Sequence, residues 1–408
     1  MYKNLLDTLF KWLNKRLPVK SFYEGHMSQY YAAKNFNFWY YFGSLAMLTF
    51  GIQILSGIWL AMFYNPSSKE AFDSVEYIMR DVKFGWLIRY IHSTGASFFF
   101  IVVYLHMFRG FLYGSYRKPR ELLWIIGVII YLCLMAECFF GYLLPWGNMS
   151  FWGAQVITSL FSAIPVIGNP LVEWIRGDYT VSGATLNRFF SLHVSAMPLI
   201  FVAVIVLHLV ALHEVGSSNP DGIEIKEKTD VNGIPLDGIP FHPYYTLKDS
   251  FGVSVFLFAF FAVVFFKPDF FGFFLEAPNF TPADQLATPE HIAPVWYMTP
   301  YYAILRAIPN KLAGILAMGA AIVILFFVPW LDKSPVSSMR YKGILSKIAL
   351  FLFVISFFTL GYLGMQPPSE AKTLLAQICS LIYFVFFLSM PILSSIEKCK
   401  NPPERVNK

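Results

Sequence analysis

The chain has 408 residues, of which 56% are hydrophobic and only 14% charged. That balance excludes an ordinary water-soluble domain and fits a protein that crosses a bilayer several times. The formal charge of +6 calls for no nucleic-acid partner, because the cations divide unevenly between the two sides of the expected membrane topology.

The opening MYKNLLDTLFKWLNKRL sets Leu5, Leu6, Leu9, Phe10, Leu13 and Leu17 between Lys3, Lys11, Lys15 and Arg16, with no small-residue cleavage site. It reads as an amphipathic helix on the cytoplasmic membrane surface, within an N-terminal segment of residues 1–35, rather than as a signal peptide. Eight apolar stretches of about 20 residues follow, at 38–63, 90–108, 122–147, 189–213, 250–266, 312–331, 348–366 and 373–396. The sequence therefore predicts an all-α membrane protein with eight transmembrane helices. Its expected units are a four-helix bundle (36–215), a cytoplasmic loop (216–248), a C-terminal group of four helices with an outer loop (249–396) and a basic cytoplasmic tail (397–408). With the N-terminus inside, about two-thirds of the Lys and Arg residues fall on the cytoplasmic side, which places both termini in the cytoplasm. Cys133, Cys138, Cys379 and Cys399 form no CxxC or CxxCH motif, against structural disulfides, thiolate metal sites and covalent haem.

The second apolar segment contains His92 and His106 with thirteen residues between them, and the fourth contains His193 and His208 with fourteen. At 1.5 Å per residue each pair spans roughly 21 to 23 Å. Both segments run from outside to inside, so His92 matches His193 in depth and His106 matches His208. Ionisable groups in hydrocarbon need partners, and two stacked bis-histidine sites are suited to two haem irons. Gly43 and Gly57 in the first segment, and Gly127 and Gly141 in the third, repeat at the spacing of the second segment's histidines. They are expected to leave room for the macrocycle edge. Arg89, Arg109 and Arg188 stand three to five residues from these histidines, placed to pair with haem propionates.

Several long motifs then occur in order over nearly the whole chain: IRYIHSTGASFFF, HMFRGFLYGSYR, GYLLPWGNMSFWGAQVITSLFSAIP, NRFFSLH, HLVALHEVGSSNP and APVWYMTPYYAILRAIPNK. In these the sequence resembles the cytochrome b subunit of the cytochrome bc complex, respiratory complex III, of bacterial type. The resemblance implies two non-covalent b-type haems, the low-potential one on His92 and His193 and the high-potential one on His106 and His208. It implies ubiquinol oxidation at an outer site, with Tyr142 and Tyr297 in its walls. It also implies ubiquinone reduction at an inner site containing His213, Lys248 and Asp249, where an imidazole and a carboxylate can pass protons from the cytoplasmic side. Implied partners are a Rieske iron–sulfur protein, a c-type cytochrome and a second copy of the complex, all in the bacterial inner membrane.

Two departures stand out. Val295 occupies the place where the family's commonest outer-site motif has glutamate, and valine cannot accept a proton. Glu137, one turn from Gly141, is the first substitute, because a carboxylate inside a membrane helix is costly and suggests a proton-handling role; Glu290 is the second. The extra residue between His193 and His208 would turn His208 to a different face of an ideal helix, and Pro198 offers a place to absorb it as a kink or bulge. Two alternatives remain at this stage. A proton-coupled transporter would suit Glu137 and the histidines but lacks an inverted repeat. A dihaem membrane anchor of another quinone-linked dehydrogenase would differ in having no Rieske partner.

Overall fold

The protein was analysed as a computed structural model, which describes residues 2–406. Among the described residues eight helices are long and apolar enough to cross a membrane: α1 (Phe38–Ala61), α2 (Gly85–Tyr113), α3 (Glu121–Leu143), α4 (Gly183–Val215), α5 (Phe241–Phe266), α6 (Lys311–Leu331), α7 (Ile344–Met365) and α8 (Glu370–Ile396). Each of the eight predicted stretches is thus a helix, and where the ends differ the cause is local. Helix α2 extends past its apolar run at both ends and stops at Tyr113, where Gly114 takes φ +66 against the Ser337 backbone; a side chain there would be strained and would collide. Helix α3 stops at Leu143, short of expectation, because Pro145 cannot continue it and Trp146 turns to φ +53. Helix α4 begins earlier than its apolar stretch, at Gly183, because Ser182 and Thr185 form a reciprocal capping box.

One continuous core joins the N-terminal helices to the C-terminal ones. It contains Phe100, Tyr131, Leu134, Tyr301, Ile304, Leu360, Tyr383 and Phe387. Tyrosine is admitted because each hydroxyl finds a partner: Tyr131 donates to Tyr301 Oη at 3.0 Å, Tyr383 to the Ala321 carbonyl at 2.7 Å, and Tyr104 to the Tyr297 carbonyl at 2.6 Å.

The two ends are fastened differently. At one end a small departure from the all-helical expectation occurs: β1 (Tyr31–Ala33) pairs antiparallel with β2 (Gly238–Pro240), Ala32 opposite Ile239. Beside it Asp237 binds Arg405 at 2.8 Å and Lys34 at 2.9 Å. The hydrogen bond from Arg405 and the Lys34 charge hold this carboxyl well below the usual carboxylate range, although burial opposes them. The N-terminal segment, the 216–248 loop and the C-terminal tail are therefore clasped at one end. The helix Tyr2–Asn14 exposes Leu5, Leu6, Leu9 and Phe10, as expected for a surface-lying amphipathic segment.

At the opposite end the segment 276–284 is zipped to residues 146–150. Ala283 N donates to the Trp146 carbonyl and Asn148 N to the Thr281 carbonyl, both at 2.9 Å. Asn279 Oδ1 accepts from Ser150 N at 2.9 Å and from Ser150 Oγ at 2.8 Å, capping the first turn of the helix Asn148–Leu160.

Candidate functional site

The four histidines meet in the two pairs that the spacing predicts. The rings of His92 and His193 have centroids 6.0 Å apart at 87°, and those of His106 and His208 are 6.4 Å apart at 68°. Imidazole–metal bonds of about 2 Å, with each nitrogen about 1 Å from its own ring centre, put two such centroids roughly 6 Å apart across one metal ion. Among the described residues no group of three or more His, Cys, Asp or Glu could hold a metal. Each pair thus offers two protein ligands and fits a metal that brings its remaining donors with it, as a haem iron does.

Hydrogen bonding fixes which nitrogen is free in the first pair. His193 Nδ1 lies 3.0 Å from the Glu137 carbonyl and 3.1 Å from its Oε1; a carbonyl can only accept, so Nδ1 carries the proton. Ser56 Oγ donates to the Ile52 carbonyl at 2.6 Å and thus accepts from His92 Nδ1 at 2.9 Å. Both rings are left with an Nε2 lone pair, the state a metal requires. The second pair is braced less: Nδ1 of His106 is buried without a hydrogen-bond partner among the described residues, and His208 is held by the Leu123 backbone alone.

Each of the four glycines faces one of these imidazoles. A Cβ added at Gly57 would fall 3.1 Å from His92 Cε1, and one at Gly141 2.5 Å from His193 Cε1. At Gly127 it would lie 3.3 Å from His208 Cε1, and at Gly43 3.6 Å from His106 Cε1. Helix α1 therefore seats both histidines of α2, and α3 seats both of α4.

The extra residue in α4 is taken up at the histidine itself. Leu192–Ala196, which contains His193, forms a π-helical turn closed by Met197 N to the Leu192 carbonyl. Such a turn accommodates one additional residue without rotating the rest of the helix. It lies just ahead of Pro198, whose missing N–H removes a competing α-helical bond.

The arginines divide. Arg109 is packed on Tyr113 at 5.3 Å, donates to the Ser218 carbonyl at 3.3 Å, and has Nε buried without a partner, which suits an anion beside His106. Arg89 lies over Tyr90 and Phe280 at 5.6 and 6.0 Å and borders a cavity of about 240 Å³. Arg188 turns the other way: it is exposed, packs on Gly177 and donates to the Trp174 carbonyl, bracing the surface loop.

At the end carrying the termini, His213 packs against Tyr30 at 4.8 Å and Lys248 lies over Tyr244 at 4.6 Å. Asp249 Oδ1 accepts from Ser44 Oγ at 3.0 Å. His213, through Tyr30, and Lys248 share an aromatic cluster with Phe241 and Tyr245. At the other end Tyr297 stacks on Phe100 at 3.8 Å and Trp296 donates to Ser97 Oγ at 3.0 Å, while Val295 is buried. Tyr142 Oη donates to Glu276 Oε2 at 3.3 Å. Glu290 is exposed, with no hydrogen bond or ion pair among the described residues.

Two family patterns match this chain, cytochrome b/b6/petB over residues 27–216 and the cytochrome b C-terminal/b6/petD pattern over 282–384. A cytochrome b of Allochromatium vinosum is 61% identical over 97% of both chains. The chain belongs to the cytochrome b family. Another relative, a cytochrome b of Rhodospirillum rubrum, is 50% identical over 97% of this chain and 95% of its own. A solved structure titled "Hyperthermophilic respiratory Complex III" superposes with a TM-score of 0.88 at 42% identity, covering 95% of this chain and 99% of that one.

Within this cytochrome b fold the sequence reading missed Glu276 and Ser56. Glu276 lies between the two matched regions, in FFGFFLEAPNF, where one acid among aromatic residues was the available signal. Ser56 gave none, since a helical serine ordinarily bonds its own backbone.

Proposed function

We propose that this chain is the electron-transfer subunit of a bacterial quinol–cytochrome c reductase, respiratory complex III, holding two b haems and a quinone site at each end. Family membership and the complex III neighbour support the assignment to the complex. The observation that carries the finer reading is the pair of imidazole couples with centroids 6.0 and 6.4 Å apart, every ring seated on a glycine.

The haems, when bound, supply one-electron carriage across the membrane. His92 and His193 would ligate the outer one, and His106 and His208 the inner one. Glu137 and Ser56 hold the outer imidazoles in the tautomer that presents Nε2. Arg109 offers a buried cation to an inner propionate, and Arg89 is the corresponding cation at the outer edge. Gly43, Gly57, Gly127 and Gly141 give the ligating rings their room.

At the outer end the hydroxyls of Tyr142 and Tyr297 face a quinol that must lose protons outward. At the inner end His213, Lys248 and Asp249 would bind a quinone and deliver cytoplasmic protons to it as it is reduced. Release on one side and uptake on the other contributes to the proton motive force. The chain would work with a Rieske iron–sulfur protein and a c-type cytochrome in a homodimeric complex of the bacterial inner membrane, with both termini cytoplasmic, as the distribution of Lys and Arg supports.

Redox titration of the purified complex, followed in the visible spectrum, tests this. Two b-type transitions per chain and quinol-dependent cytochrome c reduction are expected. A colourless chain, or one haem per chain, overturns the reading.

A further inference from the structure

The outer end has two tyrosine hydroxyls but, at Val295, a buried alkyl side chain that cannot accept a proton. A quinol hydroxyl that loses its electron must also lose its proton, and a phenol is a poor final acceptor at neutral pH. A carboxylate within hydrogen-bond reach of the site supplies what the tyrosines lack.

Among the described residues Glu276 is the carboxylate bonded to an outer-site tyrosine: Tyr142 Oη donates to its Oε2 at 3.3 Å. Glu137 is engaged with His193, and Glu290 stands in solvent. The position of Glu276 is fixed from both sides. Its neighbour Phe274 stacks against Trp296 and meets Phe98. On the other side Asn279 N donates to the Glu276 carbonyl at 3.0 Å, while the Asn279 side chain caps the helix that follows Trp146. The flanking Phe273 and Ala277 are exposed, so the loop that carries the carboxyl reaches the surface of the chain.

Resting on the outer-site reading above, we propose that Glu276 is the proton acceptor of quinol oxidation, reached through the Tyr142 hydroxyl. The quinol O–H bond breaks as an O–H bond forms on Tyr142 Oη. The proton that Tyr142 held passes along its existing hydrogen bond to Glu276 Oε2, and the carboxylate becomes a neutral acid. One electron leaves with this proton, to a b haem of this chain; the other electron and the proton of the second quinol hydroxyl go to the iron–sulfur protein proposed as its partner. Glu276 then discharges its proton to outer water.

The electrostatics suit that role. Burial pushes the Glu276 carboxyl up to about 7, with the Tyr142 hydrogen bond pulling against it. The groups facing it are Tyr142 of α3 and Tyr297 of the Trp296–Met298 turn, whose hydroxyl in turn meets Cys138 of α3. No ion pair reaches Glu276 among the described residues, so nothing pins it in its charged form.

The test is the pH dependence of haem reduction by a short-chain quinol in the intact purified complex, with the inner site blocked by an inhibitor. In the unaltered complex the rate rises with pH through a limb near 7. Glu276→Gln loses that limb and falls about tenfold or more at pH 8, with the dithionite-reduced haem spectrum unchanged. Glu276→Asp keeps a limb, displaced in pH, at a reduced rate. If the Gln variant does not assemble, the Asp variant decides: an undisplaced limb at full rate overturns the proposal. So does a Gln variant with normal rate and pH profile. An unaltered complex whose haem is not reduced by quinol at any pH would instead remove the outer-site reading itself.

Discussion

Gly141→Ala probes the seating of the outer ligand most directly. The new Cβ would stand 2.5 Å from His193 Cε1 and 3.0 Å from both ring nitrogens, against an optimal carbon contact of about 3.5 to 4.0 Å. The imidazole must therefore move by about 1 Å. It cannot do so freely, because Nδ1 is tied to the Glu137 backbone and carboxyl. Overpacking of this kind costs about 1–3 kcal/mol, offset only in part by roughly 1 kcal/mol of better helix propensity. At about 1.4 kcal/mol per tenfold, the net cost of up to about 2 kcal/mol should lower haem affinity at this site by up to about thirtyfold. The assay is haem content per chain with a redox titration of each b component. Gly141→Ala should lose or shift the outer haem alone. Gly57→Ala at 3.1 Å and Gly127→Ala at 3.3 Å should have progressively milder effects on their own haems, and Gly43→Ala at 3.6 Å should keep both. Equal haem retention in Gly141→Ala and Gly43→Ala, or selective loss of the inner haem in Gly141→Ala, would refute the reasoning.

Other consequences are as open to measurement. Glu137→Gln keeps a hydrogen-bond acceptor for His193 but removes a negative charge; on the order of 1–3 kcal/mol at an effective dielectric near 20 is roughly 40–130 mV for one electron. The outer haem potential should rise by that amount, and an unmoved titration curve would dismiss the carboxylate as a tuning group. Lys342→Met strands Asp332, a buried acid bonded to Lys342 and to Tyr116 Oη at 2.7 Å, and should destabilise the complex by about 3–5 kcal/mol. Pairing it with Asp332→Asn should restore much of the loss in thermal unfolding, and the absence of any rescue would count against this account. The Asp237 clasp has a defined pH sense. Its carboxyl is held below the ordinary value, so its contribution is full above about pH 4 and is lost as pH falls through the lower folded value. The C-terminal tail should resist carboxypeptidase at pH 5 as well as at pH 7, whereas Asp237→Asn should expose it at both; equal resistance in the variant would dispose of the clasp.

Much of the architecture was readable because lipid imposes one rule, that every spanning backbone group be satisfied within its own helix. Apolar length alone therefore located all eight spans, and ligand spacing alone paired the four histidines. The ends were less legible. They are set by caps and turns, such as the Ser182 capping box and the positive φ of Trp146 and Gly114, and hydropathy does not register these. The outer-end acid was hidden for a different reason. Tyr142 and Glu276 lie 134 positions apart, and only the zipper between residues 146–150 and 276–284 brings them together. Arg188 shows the converse: its place in the sequence pointed to the histidines, while the left-handed Gly177 beneath it drew its guanidinium into the loop.

The π-helical turn at Leu192–Ala196 decouples the length of α4 from the azimuth of its ligands. Excising Val194 would relax the wide turn to ordinary pitch and leave His208 on the same side, with the interval between ligands reduced to the thirteen found in α2. Chains with either interval can thus present the same two imidazoles, and a single-codon gain or loss at this point leaves their pairing with α2 undisturbed.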